Sequence, residues 1–151
     1  MAKTYRATTG SKMANAVLGF MLRRGAGPGF MRLLTVAGRK TGKPHSTPVV
    51  PLQTDDGHWL VAPFGEVGWV RNARAAGQVT LRRGRSSGTF TVTEVDPADA
   101  VPVLRAYLAK KPVGKYVGAY FDVDPDASDE DFAAEASRHP VFELHEVPEP
   151  S

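Results

Sequence analysis

The chain has 151 residues, 42% hydrophobic and 23% charged, with a net charge of +3 and no cysteine. That is one domain with a core of its own, and the missing thiols exclude disulfides, cysteine-ligated zinc, iron–sulfur clusters and thiol catalysis and suit a reducing compartment. Residues 1–91 hold 14 basic and 3 acidic side chains and residues 92–151 hold 5 and 13, so the first part asks for an anionic partner: nucleic acid, a membrane surface or a phosphorylated cofactor.

Residues 1–10 read as a disordered tail. From Ser11 to Arg24 the residues Met13, Ala14, Val17, Leu18, Met21 and Leu22 recur at helical spacing, with Ser11 as cap and Gly25 to Gly29 as breaker. Such a helix either packs on the core or lies on a membrane, because Phe20 adds apolar surface and Arg23-Arg24 close it with charge. No apolar run reaches membrane-spanning length and no signal peptide is evident. The expectation is a cytoplasmic protein, with peripheral contact at the inner membrane face through Ser11–Arg24 as the alternative.

Leu33 to Leu52 reads as apolar run, turn, apolar run. The turn sets Gly38 and Gly42 around Arg39, Lys40 and Lys43. Glycine turns backbone N–H groups toward one point at little cost, and convergent amides with cations make an anion cradle. A basic, solvated hairpin tip is the plain alternative. The second run carries Pro44, Pro48 and Pro51, each without a ladder donor, which predicts an edge or bulged strand. Asp55-Asp56-Gly57 signals a tight hairpin, and His58 to Phe64 a third strand. Gly68 to Gly77 is a short helix that puts Trp69 and Asn72 on one face. Gln78–Arg82 and Thr89–Thr93 alternate as strands around a turn at Arg83–Gly88. Asp96-Pro97 opens a helix toward Lys111, Lys115–Asp126 reads as irregular, Ser128 caps a further helix ending near His139-Pro140, and Val141–Val147 is a last strand. Residues 25–147 form the body and 148–151 a tail. Short antiparallel strands with prolines, flanked by helices, predict a small barrel of the α+β class, mainly β. No strand, glycine loop and helix stand in dinucleotide-binding order.

Four histidines, His45, His58, His139 and His145, lack metal-ligand spacing, so no metal is expected. His58 reads as a strand surface residue and His139 as a helix-end residue that suits the dipole. The acids from Asp122 to Asp131 lack the calcium-loop pattern. Arg82-Arg83-Gly84-Arg85 lacks interleaved aromatics, which argues against nucleic acid and for a solvated tip.

Gly38-Arg39-Lys40-Thr41-Gly42-Lys43-Pro44 with Pro48, followed by Trp69-Val70-Arg71-Asn72, resembles the deazaflavin-dependent nitroreductase family. The resemblance implies a split β-barrel, like that of FMN-binding proteins, and reduced coenzyme F420 as hydride donor to a quinone, nitro or enone acceptor. It also implies a site. Arg39, Lys40 and Lys43, with Thr41, Gly42 and His45 of the same stretch and Arg71, would hold the phosphate and carboxylates of the cofactor tail. Thr47, Pro48, Val49, Ala62 and Pro63 would line the ring with backbone contacts, Phe64 is a further cofactor-binding candidate, and Trp69 and Asn72 would close the site near the tail. Tyr116 and Tyr120 are the candidates for the substrate side. His45, Gly65 and Val70 depart from the family pattern, and Arg71 or Arg74 is the expected compensating cation. The alternative is a non-catalytic barrel that binds FMN, FAD, haem or lipid. A monomer and a homodimer are both open.

Overall fold

In a computed structural model, residues 9–110 and 113–148 are described. Helix α1 spans Thr9–Arg23, followed by strands β1 (Arg32–Ala37), β2 (Pro44–Val49), β3 (Leu52–Thr54) and β4 (Gly57–Val61). Next come α2 (Gly68–Ala76), β5 (Gln78–Arg83), β6 (Ser86–Glu94), α3 (Pro97–Ala109), α4 (Val113–Val117), a 3₁₀ turn (Gly118–Tyr120), α5 (Asp129–Ala136) and β7 (Val141–Glu146). The expected tail at residues 1–10 lies outside the described residues except for Thr9 and Gly10, which belong to α1.

The described strands form one antiparallel sheet in the order β2-β1-β5-β6-β7-β4-β3. β2 is an edge, as its prolines demand. The single strand expected from Pro44 to Leu52 is two strands. β2 pairs with β1, β3 pairs with β4, and they are the two opposite edges. Yet only Val50 and Pro51 separate them in sequence. Two residues bridge roughly 10 Å, so the sheet must curl until its edges nearly meet. The result is a split barrel.

Successive residues of a strand point to opposite faces, and two apolar clusters follow. Trp59, Val61 and Val141 pack with Leu104, Tyr107 and Phe132 of α3 and α5. Leu60 and Phe142 turn the other way, onto Leu34, Val79, Leu81 and Val70 of α2.

Three local expectations change. Lys115–Asp126 is not wholly irregular, since α4 and the 3₁₀ turn occupy its first half. Asp96 stands at the N-cap of α3 without a side-chain capping hydrogen bond, whereas Ser128 Oγ does accept from the Asp131 N–H at 3.2 Å. The β5–β6 tip is docked rather than free. Arg83 donates to the carbonyls of Pro28 and Gly27, both at 2.8 Å. The Gly84 N–H donates to Leu22 at the end of α1 at 2.7 Å, and Arg82 to Gly84 at 2.7 Å. Cations there suit the negative end of α1.

Candidate functional site

The bend between β1 and β2 is closed by its glycines. The Gly38 N–H donates to the Lys43 carbonyl and the Gly42 N–H to the Gly38 carbonyl, each at 2.8 Å. Gly42 takes a φ of +74°, the left-handed region that glycine enters freely. A Cβ on Gly38 would lie 2.8 Å from His45 Nε2, so His45 lies over the bend and would have to turn aside for a side chain there.

One oxygen joins the two motifs. Asn72 Oδ1 accepts from the Arg39 backbone N–H at 3.1 Å and from Arg39 Nη1 at 2.8 Å. The Lys43 N–H is taken by Thr41 Oγ1 at 3.3 Å. The amides of Gly38, Arg39, Gly42 and Lys43 are thus engaged within the protein rather than turned toward an anion. What the bend turns outward is side-chain charge. Arg39, Lys40 and Lys43 are exposed, and none forms an ion pair among the described residues.

Helix α2 ends at Gly77, whose left-handed φ lets its N–H reach the Ala73 carbonyl at 2.8 Å. Its inward face is Val70, Asn72 and Ala73. Asn72, 7% exposed, is therefore an anchor for the bend. Trp69 is half-buried, its ring 6.0 Å from that of Phe142. Arg71 is exposed. Arg74 is not the compensating cation, because Glu66 and Glu94 hold it at 3.0 and 2.7 Å and raise its pKa.

Of the residues expected around the ring, Thr47, Pro48 and Pro63 are half-buried and Phe64 is exposed, while the side chains of Val49 and Ala62 are core. Ala62 is fully covered, its N–H bonded to Pro140 at 2.9 Å and its carbonyl to the Gly65 N–H at 3.2 Å. Tyr120 meets Phe64 edge to face at 4.9 Å. Tyr116 lies on α4, and its side chain is outside the described residues. A cavity of about 320 Å³ opens beside the bend, with Gly42 and Pro44 on one side and Ala76, Gln78 and Thr80 on the other. Sequence reading singled out none of these last three.

Sequence reading also missed a buried pair. Glu135, 1% exposed, receives the Asp122 N–H on Oε1 at 2.9 Å and faces His139 Nε2 at 3.2 Å, with the Arg138 guanidinium on its other oxygen. His139 is 6% exposed, stacks on Phe121 at 3.9 Å and puts Nδ1 3.3 Å from the Ala62 carbonyl. It stands just past the end of α5, as expected, and is buried in the core. Burial pushes its pKa below the ordinary value, against the pull of Glu135. For Glu135 burial works upward but is outweighed by the Asp122 N–H and Arg138, so its pKa is lowered too. The four-residue spacing from Glu135 to His139, one helical turn, was the available signal.

Residues 4–122 match the family described as F420H2-dependent quinone reductase. No curated protein sequence matches the chain. Among solved structures it is similar to a domain-swapped dimer, at 16% identity over 89% of this chain and 95% of that one, with a TM-score of 0.56. An F420-H2-dependent reductase aligns at 18% identity over 78% and 95%, with a TM-score of 0.53. The haem storage protein of Vibrio cholerae aligns at 12% identity over 89% of both chains, with a TM-score of 0.51. Those likenesses show the split-barrel fold, and the match over residues 4–122 shows the family. The chain belongs to the F420H2-dependent quinone reductase family, a family of oxidoreductases that use the deazaflavin coenzyme F420.

Proposed function

We propose that this chain transfers a hydride from reduced F420 to a quinone, nitro or enone acceptor. The observation that carries the reading is the bend, where three exposed cations, without an ion pair among the described residues, stand on a loop locked to α2 by Asn72. An anionic tail fits that charge, and the loop needs no rearrangement to receive it. When bound, the reduced deazaflavin supplies the hydride. The chain supplies position and electrostatics. Arg39, Lys40 and Lys43 hold the tail, with Arg71 beside them. Thr47, Pro48, Pro63, Phe64 and Trp69 offer surface to a flat ring. Tyr120, next to Phe64, offers an O–H where negative charge develops on the acceptor.

Titration with F420, read by its fluorescence, tests the proposal. Quenching at micromolar concentrations is expected, and Arg39→Ala with Lys40→Ala should weaken binding about tenfold or more and flatten its salt dependence. Absence of quenching, or co-purified flavin, haem or lipid without turnover, would overturn it in favour of a binding protein.

Peripheral membrane contact has an observation of its own. Met13, Val17 and Phe20 on α1 are 65%, 55% and 56% exposed, and Arg24 lies 4.8 Å over the Phe20 ring. An apolar stripe with Lys12, Arg23 and Arg24 around it suits an anionic bilayer. No described helix is long and apolar enough to cross a membrane. A homodimer is compatible with the fold, and sedimentation would establish the oligomeric state.

A further inference from the structure

Two separate stretches frame the place where Phe64 meets Tyr120. One is Ala62–Gly65, following β4. The other is Tyr120–Asp122, following the 3₁₀ turn. Both rest on the same buried pair. Ala62 is bonded to Pro140 through its N–H at 2.9 Å and lies against His139 Nδ1 through its carbonyl at 3.3 Å. Gly65 sits so close to the Arg138 carbonyl that a Cβ would come within 3.2 Å of it. On the other side the Asp122 N–H is bonded to Glu135 Oε1 at 2.9 Å, and Phe121 stacks on the His139 ring at 3.9 Å and 23°.

We propose that Glu135 and His139 are positioning residues: together they form a buried spacer between the two stretches that fixes how Phe64 meets Tyr120, and so the shape of the acceptor side of the site. The flat imidazole is wedged between Phe121 and the Ala62 carbonyl. Glu135 orients it through Nε2 while gripping the second wall through the Asp122 amide. A buried carboxylate is costly unless it has partners, and this one has three: the Asp122 N–H of the second wall, His139 and Arg138. Neither residue reaches the proposed site, so each acts through the backbone it holds. This assignment rests on the reading of Phe64 and Tyr120 as walls of the acceptor site.

The test has one arm without cofactor and one with it. In the free protein, the nuclear Overhauser contact between the Phe64 and Tyr120 rings reports how the two stretches are held. His139→Leu removes the flat spacer and should abolish that contact, and His139→Phe, which restores a flat ring against Phe121, should recover it in part. With F420 and a quinone such as menadione, His139→Leu should raise the acceptor KM about tenfold while F420 affinity and kcat stay within about twofold. If the leucine variant does not fold, Glu135→Gln serves: it keeps an oxygen for the Asp122 N–H but loses the charge facing His139, and a smaller shift in the same direction is expected. An intact ring contact with unchanged KM overturns the spacer. So does a parallel fall of kcat, KM and F420 affinity that tracks melting temperature. Absence of F420 binding in the unaltered protein would instead sink the hydride-transfer reading, and the ring-contact arm would still decide the spacer.

Discussion

Asn72 shows at the scale of one residue why a short motif has to be kept whole. Its oxygen takes both an amide and a guanidinium hydrogen bond from Arg39, thirty-three positions earlier. Asn72→Ala leaves the amide of a part-buried loop without a partner, which costs ~1–2 kcal/mol. Urea unfolding should show that loss, and F420 affinity should drop because the cations are no longer fixed. His139 makes a prediction in pH. Its folded pKa lies below the ordinary 6.5, so the unfolded chain takes up the proton first. Its contribution to stability is full above that value and declines as pH falls through it. Glu135, also lowered, adds a second loss below its ordinary 4.5. Melting temperature should therefore fall on acidification from near 6.5 downward, and His139→Leu should flatten the first part of that decline. A curve that rises on acidification would contradict the burial of a neutral imidazole.

Among the elements, the strands were legible because period-two alternation and glycine or proline punctuation are local signals. Val79, Leu81, Phe90 and Val92 declare themselves within their own segments. What was not legible was anything resting on a distant partner. Arg82 and Arg83 read as a solvated tip, yet Arg83 caps carbonyls 55 and 56 positions away. The split of the second run into β2 and β3 was hidden likewise, since it depends on which strands they meet. The joint at the tip gives a test. Gly84 has a φ of +60°, and a Cβ there would stand 3.1 Å from Gly25 Cα. Gly84→Ala meets both strain and main-chain contact and should cost ~2 kcal/mol. F420 affinity should be unchanged, because the bend lies at the other end of β1.

For the whole molecule, the family was readable because two motifs stood in order, and the structure gives that order a reason: Arg39 and Asn72 touch. The cations of the bend were readable as exposed charge, whereas the burial of the Val49 and Ala62 side chains was not. Burial is a property of the curled sheet and not of any one segment. The exposed stripe on α1 carries its own prediction. The protein should float with vesicles containing anionic phospholipid, less so in high salt, and a variant with Val17→Ser and Phe20→Ser should stay in the dense fraction while keeping F420 affinity. Equal flotation of both would remove the stripe from the account. The way α1 is mounted has a further consequence. Its last turn meets the β5–β6 tip main chain to main chain, at Gly25 and Gly84, with no flexible side chain between them. A helix bolted on like that cannot swing as a tether would. Whatever grips its outer stripe also sets the tilt of the barrel, much as a keel sets the heading of a hull.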